Sequence, residues 1–402
     1  MLKIAIIVPE YLPVPAVSGG GVETLITDFL ELNEKLKRYK FDVFSIANKQ
    51  AEESAQRYKL SRFIFNELHS ELFGNFVKRI SHKLFSQNLL FNKKYFLKVL
   101  EQLTDREYDY ILVENKAAVL PLLKQVLNKR KNASKVILHI HNVDQIRPSI
   151  WVNLCDQCDG VITVSNYVKK LILDEYPQMD ENRIAIVRNF SDLKLCPEST
   201  YLMFKRDFYR KHSIAPKDRI ILYSGRVIES KGIKQLMNAL ETINNKHVHL
   251  IVIGTSWYSR TYKTSFEKEI FDKAKKIPGK VIFTGYIPHE KIGKYYALAD
   301  ICVFPSMAPE TAGLVQLEAM GQKKMTIISN SGGMPEYIGD TGIIVDLGKN
   351  FQNDLTEKIN YTVKLSEEDL LYRGNELYKH SLAFSKKRSF ESLSTVLEDW
   401  RR

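Results

Sequence analysis

The chain has 402 residues, of which 44% are hydrophobic, and it carries a formal net charge of +12. Because this length exceeds the ~250–300 residues that one hydrophobic core serves, we expect two domains of near-equal size. Four cysteines without a Cys-dense segment argue against a disulfide scaffold and fit a reducing compartment. The charge favours phosphorylated small molecules, an anionic membrane or nucleic acid as partners.

The amino-terminal apolar run is short. Residues 4–8 are apolar, but Pro9 and Glu10 end the run before it reaches the length of a signal peptide, so it is interpreted as a first strand. No segment approaches the ~18 uninterrupted apolar residues of a membrane-spanning helix. We therefore expect a cytoplasmic protein.

A basic and aromatic segment spans residues 74–100, which contain no Asp or Glu and interleave lysines and arginines with apolar side chains. It fits a surface that lies on anionic lipid at the inner membrane face. It fits equally an amphipathic helix pair with a solvated basic face. Nucleic acid is not expected as a partner, because no helix-turn-helix, zinc-finger or RNP motif accompanies the charge.

Short apolar runs recur along the chain and resemble strands that are covered on both faces of a parallel sheet. A first series lies at residues 4–8, 42–46, 110–113, 136–141, 161–164 and 184–187. A second series lies at 220–223, 250–253, 281–283, 301–304, 326–328 and 343–345. Helical spacing separates the runs, for example at residues 22–30. The pattern predicts two doubly wound, Rossmann-like α/β domains that face a central cleft, joined by a linker near 192–198.

The densest motif follows the run at 301–304 and reads Pro-Ser-Met-Ala-Pro-Glu-Thr-Ala-Gly-Leu-Val-Gln-Leu-Glu-Ala-Met. Glu310 should lie in the loop after the strand, and Glu318 about a turn and a half into the next helix. The amides of Gly313, Leu314 and Val315 would be first-turn donors at the positive end of that helix. This arrangement favours a phosphate group that approaches closely over Gly313.

The whole segment resembles the signature of the family 4 retaining glycosyltransferases. Further family-like segments follow in the expected order: Ser224-Gly225-Arg226, Lys231-Gly232-Ile233, the strand ending at Gly254, Phe283-Thr284-Gly285-Tyr286 and Gly332-Gly333-Met334-Pro335-Glu336. The resemblance implies a GT-B fold, with an acceptor-side domain at 1–192 plus about 388–402 and a donor-binding domain at 193–387. It also implies that the carboxyl-terminal helix crosses back to the first domain.

The resemblance assigns roles to these residues. Arg226 and Lys231 would hold the donor diphosphate, Glu310 the sugar hydroxyls and Glu318 the ribose, with Gly225 and Gly254 completing the donor-binding set. Fixed cations can stabilise the departing diphosphate as a metal otherwise would. No Asp-x-Asp is present, so no metal and no cofactor are expected. The pair Cys155 and Cys158 has the spacing of half a zinc site and is expected to be structural.

The first half of the chain matches the family more weakly. A glycine turn at Gly19, Gly20 and Gly21 opens a helix and could admit both the acceptor and the diphosphate. His141 ends a predicted strand and matches a histidine that lies near the transferred sugar in the family. His139 is expected to point to the opposite side.

These features predict a metal-independent retaining enzyme that moves a hexose from a nucleotide sugar to a glycan or lipid-linked acceptor. The resemblance favours a UDP-sugar. Ala312 and the run Gln322-Lys323-Lys324 depart from the family pattern and leave the donor identity open. A nucleotide-sugar epimerase, a noncatalytic partner of another transferase and a membrane-binding adaptor remain alternatives.

Overall fold

The computed structural model describes residues 1–68, 93–104, 106–130, 133–143, 146, 156–255 and 264–401. They form two compact units, Met1–Arg188 with Ser389–Arg402, and Asn189–Arg388. The predicted division lay at 192, a few residues further along the chain. Most of the basic aromatic segment, residues 74–92, lies outside the described residues, as does Cys155.

The first unit is built on a seven-stranded, all-parallel sheet in the order β3-β2-β1-β4-β5-β6-β7. Its strands are β1 Leu2–Ile7, β2 Tyr39–Ile46, β3 Ser61–Asn66, β4 Tyr110–Glu114, β5 Lys135–Ile140, β6 Gly160–Thr163 and β7 Ile184–Ile186. Its helices are α1 Gly21–Leu36, α2 Lys49–Ala55, α3 Lys93–Thr104, α4 Leu120–Arg130 and α5 Asn166–Glu175. Short 3₁₀ turns stand at Ala117–Val119 and Glu181–Arg183.

Apolar residues from alternate positions of the strands form two cores, one on each face of this sheet. Ile4 and Ile6 belong to one core, whereas Ala5 and Ile7 belong to the other. Burial on both faces explains why the strands are continuously apolar. The α/β fold class predicted from those runs is confirmed.

The sequence did not predict strand β3. It stands at one edge of the sheet and pairs only with β2 among the described strands. Its apolar run, residues 63–65, is short, follows the exposed Arg62 and is only partly buried. A run of three residues is a weak signal for a strand.

The second unit repeats the design with a six-stranded parallel sheet in the order β10-β9-β8-β11-β12-β13. Its strands are β8 Arg219–Ser224, β9 Val248–Ile253, β10 Val281–Gly285, β11 Ile301–Phe304, β12 Met325–Ser329 and β13 Ile343–Val345. Its helices are α6 Glu198–His212, α7 Ile233–Ile243, α8 Ser265–Ala274, α9 His289–Leu298, α10 Leu314–Gly321, α11 Met334–Ile338, α12 Phe351–Val363 and α13 Glu367–Ser381. A 3₁₀ turn stands at Glu229–Lys231. Among the described helices of the whole chain, none is both long and apolar enough to cross a membrane.

The last helix, α14 Lys386–Asp399, returns the chain to the first unit. Phe390, Leu393 and Leu397 are buried in the same core as β1 and β2. Just beyond the helix, the indole of Trp400 lies against Gly160, where a Cβ would stand 2.6 Å from the ring. The return of the carboxyl-terminal helix therefore agrees with the prediction.

We expect Phe390→Ala to lower the free energy of unfolding of the first unit by ~3–5 kcal/mol, the usual cost of deleting a buried aromatic ring. The ring is fully buried and lies 5.8 Å from Tyr39 and 6.1 Å from Phe29, measured between ring centroids. Denaturant unfolding followed by circular dichroism measures the change. Tyr372→Ala is the control, because that ring is 67% exposed and its loss should cost less than ~0.5 kcal/mol. Equal effects of the two substitutions would contradict this packing.

Candidate functional site

A pocket of about 180 Å³ opens at the carboxyl ends of the central strands of the second sheet. Its walls come from the turns after β8, β9 and β10 and from the first part of α10. The lining residues are Ser224, Gly225, Arg226, Ile253, Gly254, Thr255, Tyr286, Ile287, Ile292, Val315 and Glu318. Pockets at this edge of a doubly wound sheet are where such folds bind ligands.

Two glycine turns form the floor of the pocket. Gly225 and Gly254 have φ angles of 150° and 121°. A Cβ on Gly254 would stand only 2.1 Å from the carbonyl oxygen of Gly225. The backbones are also joined by a hydrogen bond of 3.0 Å from Gly225 N to Ile253 O. The sequence needs glycine at residue 254 because the two turns pass so close together.

Glu318 lies on one wall with its carboxylate held by two neighbours. The Tyr296 hydroxyl donates a hydrogen bond of 2.7 Å to Oε2, and His289 Nε2 lies 3.2 Å from Oε1. Burial raises the pKa of Tyr296 well above its usual value, and the Glu318 charge adds to this, so Tyr296 stays a hydrogen-bond donor. The Glu318 side chain is 12% exposed, which leaves it accessible to a ligand from the pocket side.

Lys231 and Glu310 form an ion pair through Lys231 Nζ and Glu310 Oε1. The Ser306 hydroxyl donates a hydrogen bond of 2.6 Å to the same carboxylate oxygen. Both charged side chains are partly exposed, at 27% and 19%. The sequence placed these residues in separate motifs, and the structure brings them together.

Backbone contacts lock the loop that carries Lys231 to the loop that carries Glu310. Ser230 O accepts hydrogen bonds from Met307 N at 2.8 Å and from Ala308 N at 3.2 Å. At Gly232, with φ at 71°, an added Cβ would stand 1.7 Å from Pro305 O. Two loops that approach so closely hold the ammonium and the carboxylate in a fixed relation.

A third loop completes this arrangement behind Glu310. Gly333 N donates a hydrogen bond of 2.6 Å to Glu310 O. A Cβ on Gly332 would stand 2.1 Å from the same oxygen. The glycine pair in the motif Gly332-Gly333-Met334 therefore serves to bring this loop against the backbone of Glu310.

Arg226 extends from the same pocket. Its backbone carbonyl accepts a hydrogen bond of 2.8 Å from the Tyr223 hydroxyl, while its side chain is exposed. No ion pair of the Arg226 guanidinium is found with any residue in the described ranges. An accessible cation beside a pocket is suited to an anionic ligand.

Helix α10 begins directly beside these loops. Gly313 precedes it with φ at 85°, and no side chain caps its first turn. The amides of Leu314 and Val315 therefore lie in the uncapped first turn of the helix, where they and the helix dipole attract negative charge.

The predicted residues Gly20, Gly21 and His141 lie in the first unit. Gly19 and Gly20 have φ angles of 81° and 97°, and α1 begins at Gly21. The Glu23 carboxyl folds back over this turn, because a Cβ on Gly20 would stand 2.1 Å from its Oε2. Burial, together with the negative charge of Glu114, raises the pKa of Glu23 to about 7.

His141 belongs to a buried group with Glu114 and His139. His141 Nε2 lies 3.0 Å from Glu114 Oε2, and His139 Nδ1 lies 3.1 Å from the same oxygen. Burial opposes the charge of Glu114, but the charges and N–H donors of His139 and His141 outweigh it and hold its pKa at about 2. Burial lowers the pKa of His141 to about 4. At neutral pH His141 is therefore neutral and donates Nε2–H to an ionised Glu114.

The expectation that His139 points away from His141 was wrong. Residues two apart in a strand lie on the same face of the sheet, and the two imidazole centroids are 4.0 Å apart. Glu114 was also missed. It ends β4, and its register partner in β5 is His139. A comparison of the last residues of the two predicted strands could have revealed it.

The second unit thus assembles most of the predicted residues. Gly225, Arg226, Gly254, Val315 and Glu318 line one pocket, and Lys231 pairs with Glu310 in the adjoining loops. The sequence did not reveal Tyr296 and His289, which hold Glu318, because a single tyrosine or histidine on a helix carries no pattern. Ser306 lay inside the recognised motif without an assigned role.

Two family models together match most of the chain. The model described as glycosyl transferases group 1 matches residues 204–375, and the one described as glycosyltransferase family 4 matches residues 19–195. The lipopolysaccharide 1,2-N-acetylglucosaminetransferase of Salmonella typhimurium is 27% identical over 68% of each chain. Spore coat protein SA of Bacillus subtilis is 26% identical over 99% of each chain.

Solved structures share the fold over nearly the whole length. The Anabaena protein HepE, in complex with UDP and glucose, superimposes with a TM-score of 0.75 at 16% identity, covering 99% of this chain and 100% of that one. Sucrose-phosphate synthase of Thermosynechococcus elongatus gives a TM-score of 0.75 at 18% identity and 99% coverage of both chains.

Two doubly wound parallel sheets give the chain the two-domain α/β architecture of the GT-B glycosyltransferases. The chain belongs to the family 4 glycosyltransferases. Its class of activity is the transfer of a sugar.

We expect Gly232→Ala to destabilise the second unit. The left-handed backbone alone costs a non-glycine residue ~1–3 kcal/mol, and the clash of the new Cβ with Pro305 O adds to it. Differential scanning calorimetry should show a lower melting temperature. Gly348→Ala is the matched control, because no atom lies within 4 Å of its added Cβ. An unchanged melting temperature for Gly232→Ala would show that the two loops are not locked together.

Proposed function

We propose that this protein is a metal-independent, retaining glycosyltransferase that takes a hexose from a nucleoside diphosphate sugar, with a UDP-sugar favoured. The observation that carries the proposal is the junction of the pocket with the Lys231–Glu310 pair and the start of α10. Each part of this junction suits one part of a nucleotide sugar. The UDP and glucose in the HepE complex support the choice of donor class.

The diphosphate is assigned to Arg226, Lys231 and the first amides of α10. Arg226 is exposed at the pocket edge, and the Lys231 ammonium has three donors, so it can bind a phosphate while it keeps its contact with Glu310. The uncapped helix start adds a partial positive charge. These groups supply the stabilisation of a departing diphosphate that a divalent cation gives elsewhere.

The nucleoside is assigned to the pocket itself. Glu318 presents carboxylate oxygens that accept hydrogen bonds from the two ribose hydroxyls, and Tyr296 and His289 keep it in place. Tyr286, Ile287 and Ile292 form the apolar part of the lining, which suits the face of a nucleobase. Gly225 and Gly254 are assigned to the donor site because both line the pocket and their backbones pass too close together for a side chain at residue 254.

Glu310 is assigned to the hydroxyls of the transferred sugar. Ser306 and Lys231 fix one of its carboxylate oxygens, so the other remains the acceptor for sugar hydroxyls. In the proposed reaction the C1–oxygen bond to the diphosphate breaks as the acceptor hydroxyl attacks on the same face. The leaving phosphate oxygen takes the acceptor proton, and no protein nucleophile is required.

The first unit is proposed to bind the acceptor, a glycan or lipid-linked sugar in the synthesis of a cell-surface polysaccharide or glycoconjugate. The similarity to the lipopolysaccharide 1,2-N-acetylglucosaminetransferase of Salmonella typhimurium supports this class of acceptor. Gly20 and Gly21 are proposed to admit the diphosphate, and His141 to contact the transferred sugar. A location in the cytoplasm, with residues 74–100 against the inner membrane face, belongs to the same proposal.

We expect Lys231→Gln to weaken the binding of UDP by about 10–100-fold, which corresponds to the ~1.5–3 kcal/mol of a hydrogen bond to a charged group. The binding of uridine, which lacks the phosphates, should not change. Isothermal titration calorimetry of the full chain measures both ligands. Lys234→Gln is the matched control, because this lysine of α7 is partly exposed and pairs with Glu269 of α8.

Equal losses of UDP and uridine affinity in Lys231→Gln would contradict the diphosphate assignment. A wild-type protein that binds no nucleoside diphosphate would contradict the proposed function itself. Release of the nucleoside diphosphate only when a glycan acceptor is present separates a transferase from an epimerase, which needs no acceptor.

A further inference from the structure

Three buried side chains at the ends of β4 and β5 converge outside the pocket described above. Glu114 and His139 are register neighbours on adjacent parallel strands, and His141 lies two residues beyond His139 on the same face. The potential ligand atoms of the three side chains all lie within 4.8 Å of one another. The exposed fractions of the three side chains are only 4–5%.

Two distances within this group fall in the range found between ligands of one metal ion. Glu114 Oε2 lies 3.0 Å from His141 Nε2 and 3.1 Å from His139 Nδ1. Atoms bonded to Zn²⁺ at ~2.0–2.2 Å in octahedral or tetrahedral geometry stand ~2.8–3.6 Å apart. Two imidazoles and one carboxylate are also a common set of ligands for divalent transition metals.

The backbone around the group is held in place. Asn115 has a left-handed backbone with φ at 47°. Its side-chain Oδ1 accepts hydrogen bonds from His141 N at 3.1 Å and from Asn142 N at 3.0 Å. The turn after β4 thereby fixes the turn after β5, so the ligand atoms are positioned before any ion binds.

His139 Nε2 is buried without a hydrogen-bond partner among the described residues, so the imidazole is oriented through Nδ1, which faces Glu114. Glu23 adds a second buried carboxyl whose charge interacts with Glu114, so the site can compensate a cation.

We propose that Glu114, His139 and His141 form a binding site for one divalent transition-metal ion, with Zn²⁺ as the representative ion. The ligands are the Glu114 carboxylate, His139 Nδ1 and His141 Nε2. On binding, the two hydrogen bonds to Glu114 are exchanged for coordination, and a proton on a ligating nitrogen moves to the other ring nitrogen or to solvent. No redox step accompanies binding.

One consequence rests on the proposed function. His141 cannot contact the transferred sugar and coordinate a metal in the same orientation, so the ion inhibits transfer and is not a cofactor for it. The site would then respond to free Zn²⁺. Metal binding itself does not depend on the identity of the donor or the acceptor.

The test uses the untagged full chain, stripped of metal by a chelator and dialysis. Titration with Co²⁺ should give visible absorption that saturates at one ion per chain, and Zn²⁺ should displace it. In calorimetry, E114Q and H139Q should each weaken Zn²⁺ binding by at least about tenfold. The control is H247Q, which removes a histidine that is 61% exposed in the second unit, and it should bind as the wild type does.

The absence of saturable binding in the wild-type protein would overturn the proposal, whether or not the variants fold. Binding that survives in both E114Q and H139Q would overturn it as well. Where transfer is measured, Zn²⁺ should inhibit the wild type and not H139Q. If no transfer is found without metal but the Co²⁺ spectrum appears, the proposed function fails and the metal site stands.

Discussion

The close backbone approach between Gly232 and Pro305 is the constraint on which the second unit's site depends. It requires a glycine with a left-handed backbone, because a Cβ at residue 232 would stand 1.7 Å from Pro305 O. Ser230 O then accepts two amides of the following loop. Lys231 and Glu310, 79 residues apart in sequence, are thereby held as neighbours. The chemistry of the site follows from this fixed geometry, since preorganised charges need no rearrangement when the substrate arrives.

The two units use their strand ends differently. In the second unit the charged groups at this edge are partly exposed, as Arg226, Lys231 and Glu310 show. In the first unit Glu114, His139 and His141 are buried and satisfy one another's charge. Exposed charges suit a ligand that arrives with its own phosphates, whereas the buried group suits a small ion or a fixed imidazole. Two sheets of the same parallel type therefore carry two different kinds of site.

Continuous apolar runs predicted every described strand except β3, because most strands are buried on both faces, whereas β3 has only the short, partly buried run 63–65. The motif around Glu310 and Glu318 could be recognised because its residues are close in sequence. The contacts that position them could not, since Lys231, Ser306 and Tyr296 meet only after the loops fold. Glu114 was missed for a related reason, because its partners lie on the next strand. Neighbouring strand ends have to be compared before such a group can be seen.

The most direct measurement of the central claim is hydrogen–deuterium exchange of the full chain with and without UDP. The account predicts slower exchange in the segments 224–232, 286–292 and 305–318, because their backbones line the pocket or hold its charges. Residues 253–255 should also be protected. Binding of UDP that protects other segments and leaves these four unchanged would contradict the assignment of the donor to the second unit.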